Sequence, residues 1–241
     1  MTNSFRIPRI LLLAWLALVP FSLSAVEPQG NFANQIRNLI ARDTSAPPPR
    51  HAVVCVGSSS MRMWKDRMAA DLAPITVIPR GFGGSQFSDV IEDFELLIAQ
   101  YSPRAVVVYE GDNDIGMGKS PAEVFRDFAT LRAQIDAFDP TIRLYVIGVK
   151  PSLARGDKWA WMQQFNREVA ALATVDDRLT FIDVGAALMG ENGRPVEDWF
   201  IEDGLHLNQT GYDHWAAAIA SVLVPAELPF ESTVTPVSPV E

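Results

Sequence analysis

Five short apolar runs, each followed by a segment whose apolar residues recur at helical spacing or by a glycine-rich turn, constrain this 241-residue chain most. The runs are residues 52–56, 75–78, 105–109, 144–149 and 179–184. A strand with one wet face alternates apolar and polar residues, whereas a continuous apolar run fits a strand covered on both faces. Between the runs lie stripes spaced for helices. One is Val90, Phe94, Leu97, Ile98 and Tyr101, and another is Val124, Phe128, Leu131, Ile135 and Phe138. Trp161, Phe165, Val169 and Leu172 form a third, and Tyr212, Trp215, Ala216, Ile219 and Leu223 the last. The second stripe opens with Ser120-Pro121-Ala122-Glu123, which supplies a cap, a first-turn proline and a capping-box glutamate. Alternation of this kind predicts a three-layer α/β/α sandwich around a central sheet of about five parallel strands.

Sites in such sheets sit beyond the C-terminal ends of the strands. The chemistry-bearing residues fall there. Gly57-Ser58-Ser59-Ser60 follows the first run, and a serine on a sharp turn after a buried strand is where an exposed nucleophile is expected. Spacing does not choose among the three serines. Asp203-Gly204-Leu205-His206 follows the fifth run and places a carboxylate three residues before a histidine. A carboxylate at that offset can hold the imidazole in the tautomer that takes a proton from a hydroxyl. His51 beside Pro47-Pro48-Pro49 and His214 on the last helix lack such a partner and read as a solvated linker residue and a structural residue.

Four segments together resemble the blocks of the SGNH (GDSL-type) hydrolases, in the family's order. Gly57-Ser58-Ser59-Ser60 is similar to the nucleophile block, Arg80-Gly81-Phe82-Gly83-Gly84-Ser85 to the second, Gly111-Asp112-Asn113-Asp114 to the third, and Asp203-Gly204-Leu205-His206 to the fifth. The resemblance implies the flavodoxin-like SGNH fold and a serine esterase. It selects Ser59 as nucleophile, His206 as base and Asp203 as its orienter. The Ser59 and Gly84 N–H groups and the Asn113 amide become the oxyanion donors. Ser58 stands where the family's block carries an aspartate, which implies altered support of the turn. Members such as platelet-activating-factor acetylhydrolases and related esterases need no cofactor, and none is expected here.

Other readings of the same residues are weaker. An α/β-hydrolase carries Gly-x-Ser-x-Gly, but Met61 occupies the second glycine's place. Glu110, Asp112, Asp114, Asp203 and His206 are of the types that hold a hard cation. Asp112 and Asp114 read instead as turn formers, with Asp114 bracing the third block, and no metal is assigned. An acyltransferase passing an acetyl group to a sugar would use the same triad, and a silent binding module would not need it. Trp159, Trp199 and Phe200 in expected loops, with Phe82 in the second block, are the candidates for lining an acyl or sugar pocket.

The boundaries follow from composition. Arg6 and Arg9, an apolar run from Ile10 to Phe21 and Ser22-Leu23-Ser24-Ala25 give residues 1–25 the pattern of an export signal, too short to favour a stable membrane span. Export to the periplasm or medium is therefore expected. Residues 26–50 hold a helix carrying Phe32, Ile36, Leu39 and Ile40, then the proline spacer. Residues 51–224 form the hydrolase domain, and 225–241, rich in Pro, Ser, Thr, Val and Glu, read as a disordered tail. The net charge is −9, more negative still once Arg6 and Arg9 are removed. Such a surface repels nucleic acid and anionic membranes. The expected partner is a small-molecule or glycan ester. Cys55 is the only cysteine, so no disulfide can form within the chain.

Overall fold

The computed structural model describes residues 26–237; the expected export signal lies outside them. Five parallel strands form one sheet: β1 Val53–Gly57, β2 Val77–Gly81, β3 Ala105–Tyr109, β4 Arg143–Ile147 and β5 Leu179–Ile182. Their order is β2-β1-β3-β4-β5. Val54 pairs with Ile78 on one side and Val106 on the other, so β1 is interior. Strands β1 and β3 are buried along their whole length, as the continuous apolar runs predict.

The period of two divides each strand between two cores. Val54, Val56, Val106, Val108 and Val146 point to one face. There they meet α1 Ala33–Ala41, α3 Phe87–Glu92, α4 Phe94–Leu97, α6 Pro121–Phe138 and α7 Trp159–Ala173. Val53, Cys55, Val107, Tyr145 and Ile147 point to the other, against α2 Ser59–Asp71 and α8 Gln209–Glu227. Trp64 of α2 and Trp215 of α8 meet edge to face at 4.9 Å, and Tyr109 joins them. Each such buried side chain stabilises the fold by about 1.5–3 kcal/mol. Helix α5, Asp112–Gly116, is short and carries the third block. The strand order reverses between β1 and β3, which opens a crevice at their C-terminal ends.

Three expectations differ from the structure. The stripe from Val90 to Tyr101 is α3, α4 and a single 3₁₀ turn at Ala99–Tyr101 rather than one helix. Asp93, at the break, accepts a hydrogen bond from the Gln29 N–H and ties the N-terminal segment to this face. Trp161 is 42 % exposed, because α7 buries Met162, Phe165 and Val169 instead. The tail is folded through most of its length. Helix α8 continues to Glu227 despite Pro225, a 3₁₀ helix spans Leu228–Thr233, and Thr235 bridges Arg50.

The reason is a buried ion cluster at the end of the sheet opposite the crevice. Glu227 is fully buried and accepts from Arg104 Nε at 3.0 Å, Arg143 Nε at 2.6 Å and Tyr145 Oη at 2.7 Å. Glu231 takes Arg104 Nη2 at 2.7 Å and the Thr76 N–H at 3.0 Å. Phe230 lies under the Arg143 guanidinium. These bonds hold residues whose composition alone favours disorder. We predict that Glu227→Ala, which strands Arg143 and leaves Arg104 with Glu231 alone, costs about 3–5 kcal/mol in urea unfolding. Activity per folded molecule should be unchanged. A loss under 1 kcal/mol would show that the cluster contributes little.

Candidate active site

The turn after β1 begins the site. Gly57 has φ +149°, and a Cβ there would collide with the Tyr109 carbonyl oxygen of β3. Only glycine lets β1 and β3 end this close together. The Ser58 N–H donates to that same Tyr109 oxygen at 3.1 Å, and Phe82 N–H donates to Gly57 O at 2.9 Å. The turn is thus tied to the ends of β2 and β3. Ser58 caps α2 in extended conformation with no side-chain capping bond, and Ser59 is the first helical residue. Ser58 and Ser60 are buried, whereas Ser59 is part-exposed, so one serine of the three faces the crevice.

His206 reaches it from a tight loop before α8. Ile201 N–H donates to His206 O and Gly204 N–H to Ile201 O, each at 2.9 Å. Asn208 then caps α8 through the Gly211 N–H. His206 Nε2 lies 2.8 Å from Ser59 Oγ, and Nδ1 lies 2.6 Å from Asp203 Oδ2. Asp203 Oδ1 accepts the Leu205 and His206 N–H groups, each at 2.9 Å. Partial burial raises the Asp203 pKa, but the hydrogen bonds from His206 and the two backbone N–H groups outweigh it and bring it to about 2. Ionised Asp203 fixes the proton on Nδ1, which leaves Nε2 to accept from the serine hydroxyl.

Facing Ser59 are the second and third blocks. Gly84 has φ +91°, and neither its N–H nor that of Ser59 has a backbone partner among the described residues. Asn113 Nδ2 donates to Ser85 O at 2.9 Å, which leaves its second amide hydrogen free. Its Oδ1 accepts from Arg155 Nη2 at 3.0 Å, so the amide can point only its nitrogen inward. Arg155 also pairs with Asp112, which takes Lys150 Nζ and Tyr109 Oη at 3.0 Å each. Burial raises the Asp112 pKa, and the Lys150 and Arg155 charges bring it below the usual carboxylate range. Asp114 accepts the Gly111 N–H and pairs with Lys119, so it braces the third block. Glu110 is fully buried and accepts from Ser85 Oγ at 2.6 Å. Burial and the Asp114 charge push its carboxyl well above the ordinary range, against the Ser85 hydrogen bond. The acids that invited a metal reading are therefore each engaged by protein groups.

Ser59, Gly84, Asn113, Leu205 and His206 line a cleft of about 350 Å³. The four aromatic candidates do not. Phe82 is fully buried, edge to face with Phe32. Phe200 belongs to the α2/α8 core. Trp199 stacks on His214 at 3.9 Å, and Trp159 lines a separate cleft with Phe181 and Asp183. Apolar area drew Phe82 and Phe200 into the core, and the half-buried Trp159 and Trp199 pack against its margins. No sequence pattern points to Gln35 and Arg62, which line the cleft, or to Arg155, which sits behind Asn113. Gln35 of α1 brackets Gly83, accepting its N–H at 2.9 Å and donating to its carbonyl at 3.1 Å.

Comparison with known proteins decides the family. The model of the GDSL-like lipase/acylhydrolase family matches residues 33–214. The chain belongs to that family. A GDSL-like lipase from Bacteroides thetaiotaomicron has a similar structure at 21 % identity and TM-score 0.67, over 79 % of this chain and 98 % of the other. A family 3 carbohydrate esterase from Clostridium thermocellum is similar at 16 % identity and TM-score 0.61, over 76 % and 99 %. A carbohydrate esterase family 3 protein from Talaromyces cellulolyticus gives 16 % and 0.57, over 76 % and 100 %. At these identities the structures share the fold. None of the curated proteins compared matches. The third and fifth blocks stand at one end of the sheet with the first.

The Asp203 pKa yields a sign. Its folded value of about 2 lies below the unfolded value of about 3.9, so its contribution to stability is complete above pH 4 and is lost as pH falls through 2. Carbon-13 NMR should find this carboxyl titrating near 2, and higher in His206→Ala. A value near 4 in both proteins would show that the hydrogen bond is absent in solution.

Proposed function

We propose that this GDSL-like hydrolase is a serine esterase. One observation carries the reading: the unbroken chain from Asp203 through His206 to Ser59, with contacts of 2.6 and 2.8 Å. A serine hydroxyl is a weak nucleophile until a base takes its proton. Ser59 Oγ attacks the acyl carbon as its proton passes to His206 Nε2. The imidazolium is stabilised by Asp203 and then protonates the leaving alkoxide. Water, deprotonated by His206, attacks the acyl-enzyme and restores Ser59. The oxyanion formed in each half-reaction is held by the Ser59 and Gly84 N–H groups and the free Asn113 amide hydrogen.

We assign it a short acyl group, most simply acetyl, on a polar alcohol such as a sugar hydroxyl. Among the described residues lining the cleft, Leu205 is the one aliphatic side chain, so a long acyl chain finds little apolar surface to bury against. The structural likeness to two carbohydrate esterases supports the sugar. The motif of residues 1–25 supports export to the periplasm or medium.

An organophosphonate should label Ser59, and Ser59→Ala should lower kcat by about 10⁴-fold or more while the fold survives. Labelling at Ser58 or Ser60 would refute the assignment. Asn113→Ala should lower kcat by about 10²–10³ with little change in KM. Among p-nitrophenyl esters, kcat/KM should fall from acetyl through butyryl to decanoyl, and acetate should be released from an acetylated xylan. A decanoyl optimum overturns the short acyl group, and no acetate from any acetylated sugar overturns the sugar.

A further inference from the structure

Arg62 lies one turn along α2 from Ser59, at the i+3 position that shares its face. It lines the same cleft as Ser59 and His206. A Cβ on Gly83 would come within 2.9 Å of Arg62 Nε and 3.4 Å of its Cζ, so the guanidinium lies across the Gly83 backbone, beside Gly84. The glycine makes room for the cation there.

Its charge is unmatched. The other arginines around the site are each neutralised: Arg67 by Asp71 and Asp213, Arg80 by Asp43 and Arg155 by Asp112. Among the described residues, the Arg62 side chain makes no hydrogen bond or ion pair, and no aspartate or glutamate lines the cleft. In a chain of net charge −9, an exposed guanidinium beside a nucleophile with no acid to satisfy it is an exception. Guanidinium groups present paired N–H donors that match the geometry of a carboxylate.

We propose that Arg62 is a specificity residue that selects esters carrying a carboxylate. The proposal rests on the esterase reading of Ser59 and names the substrate class of that site. The carboxylate sits on the alcohol, as in an acetylated sugar acid, or at the far end of a short acyl group. The acidic surface repels dense polyanions at long range, while Arg62 supplies a local positive field for a single charge.

Two matched pairs of esters test this and separate the two positions. On the alcohol side, 4-acetoxybenzoate is compared with 4-acetoxybenzamide; on the acyl side, p-nitrophenyl hemisuccinate with p-nitrophenyl butyrate. The readout is the ratio of kcat/KM for the charged ester over the neutral one, in wild type and in Arg62→Gln. Comparing ratios between proteins cancels the intrinsic reactivity of each ester. The wild-type ratio should exceed that of Arg62→Gln by about 10-fold or more in one pair, with Arg62→Lys between them and the excess shrinking in 0.5 M salt. The pair that responds tells which side of the ester bears the charge. Equal ratios in both pairs, with the neutral esters turned over, overturn the role of Arg62 alone. No Ser59-dependent turnover of any of the four esters overturns the esterase reading, and this proposal with it.

Discussion

The contact on which the site depends is the approach of β1 to β3 at their C-terminal ends. Gly57 has no Cβ to strike the Tyr109 carbonyl, and the Ser58 N–H bonds to that same oxygen. The turn therefore leaves the sheet at a fixed angle and presents Ser59 over the end of β3. Because β1 is flanked by β2 and β3, the loops after all three strands converge there, and His206 arrives from the far side before α8. Residues separated by up to 147 positions in the chain meet because the strand order requires it.

Around this crossing lies an unusually polar interior. Lys150, Asp112, Glu110 and Asp114 are buried next to the third block. Buried charges are costly unless paired, and here the pairs converge on one product: a single orientation of the Asn113 amide. Arg155 holds its oxygen, Ser85 O takes one hydrogen, and Glu110 anchors Ser85 in turn. Stabilising a developing negative charge requires donors that do not reorganise as it forms. For the proposed esterase, the rigidity of this network would meet that requirement before a substrate arrives.

Most of the fold was legible because burial on both faces leaves a plain mark, an apolar run such as 105–109 that coincides with β3. The positions of Ser59, Asn113, Asp203 and His206 were legible because short glycine- and aspartate-rich blocks follow those runs. Side chains that act across layers were not. Gln35 and Arg155 carry no local pattern, since their importance comes from what the topology brings opposite them. Phe82 and Phe200 were misread for the opposite reason: proximity in sequence to the site does not fix which way a ring points, and apolar area favoured the core. The tail misled because its composition hides Glu227, whose three partners lie 82 to 123 residues away.

The hold of Gln35 on Gly83 has a consequence for how the molecule comes together. Helix α1 leaves the ribosome before any strand of the sheet, yet its docking surface, Phe82 and Gly83, is 48 residues downstream of Gln35. The helix must wait for β2 and then close back over the first βαβ unit, at the entropic cost of a long loop. Until it does, the glycine turn beside Ser59 lacks its bracket. A fragment beginning at the first strand would keep every family block and still carry an unpinned Gly83-Gly84 turn, so completion of the cleft is coupled to the docking of the segment synthesised first.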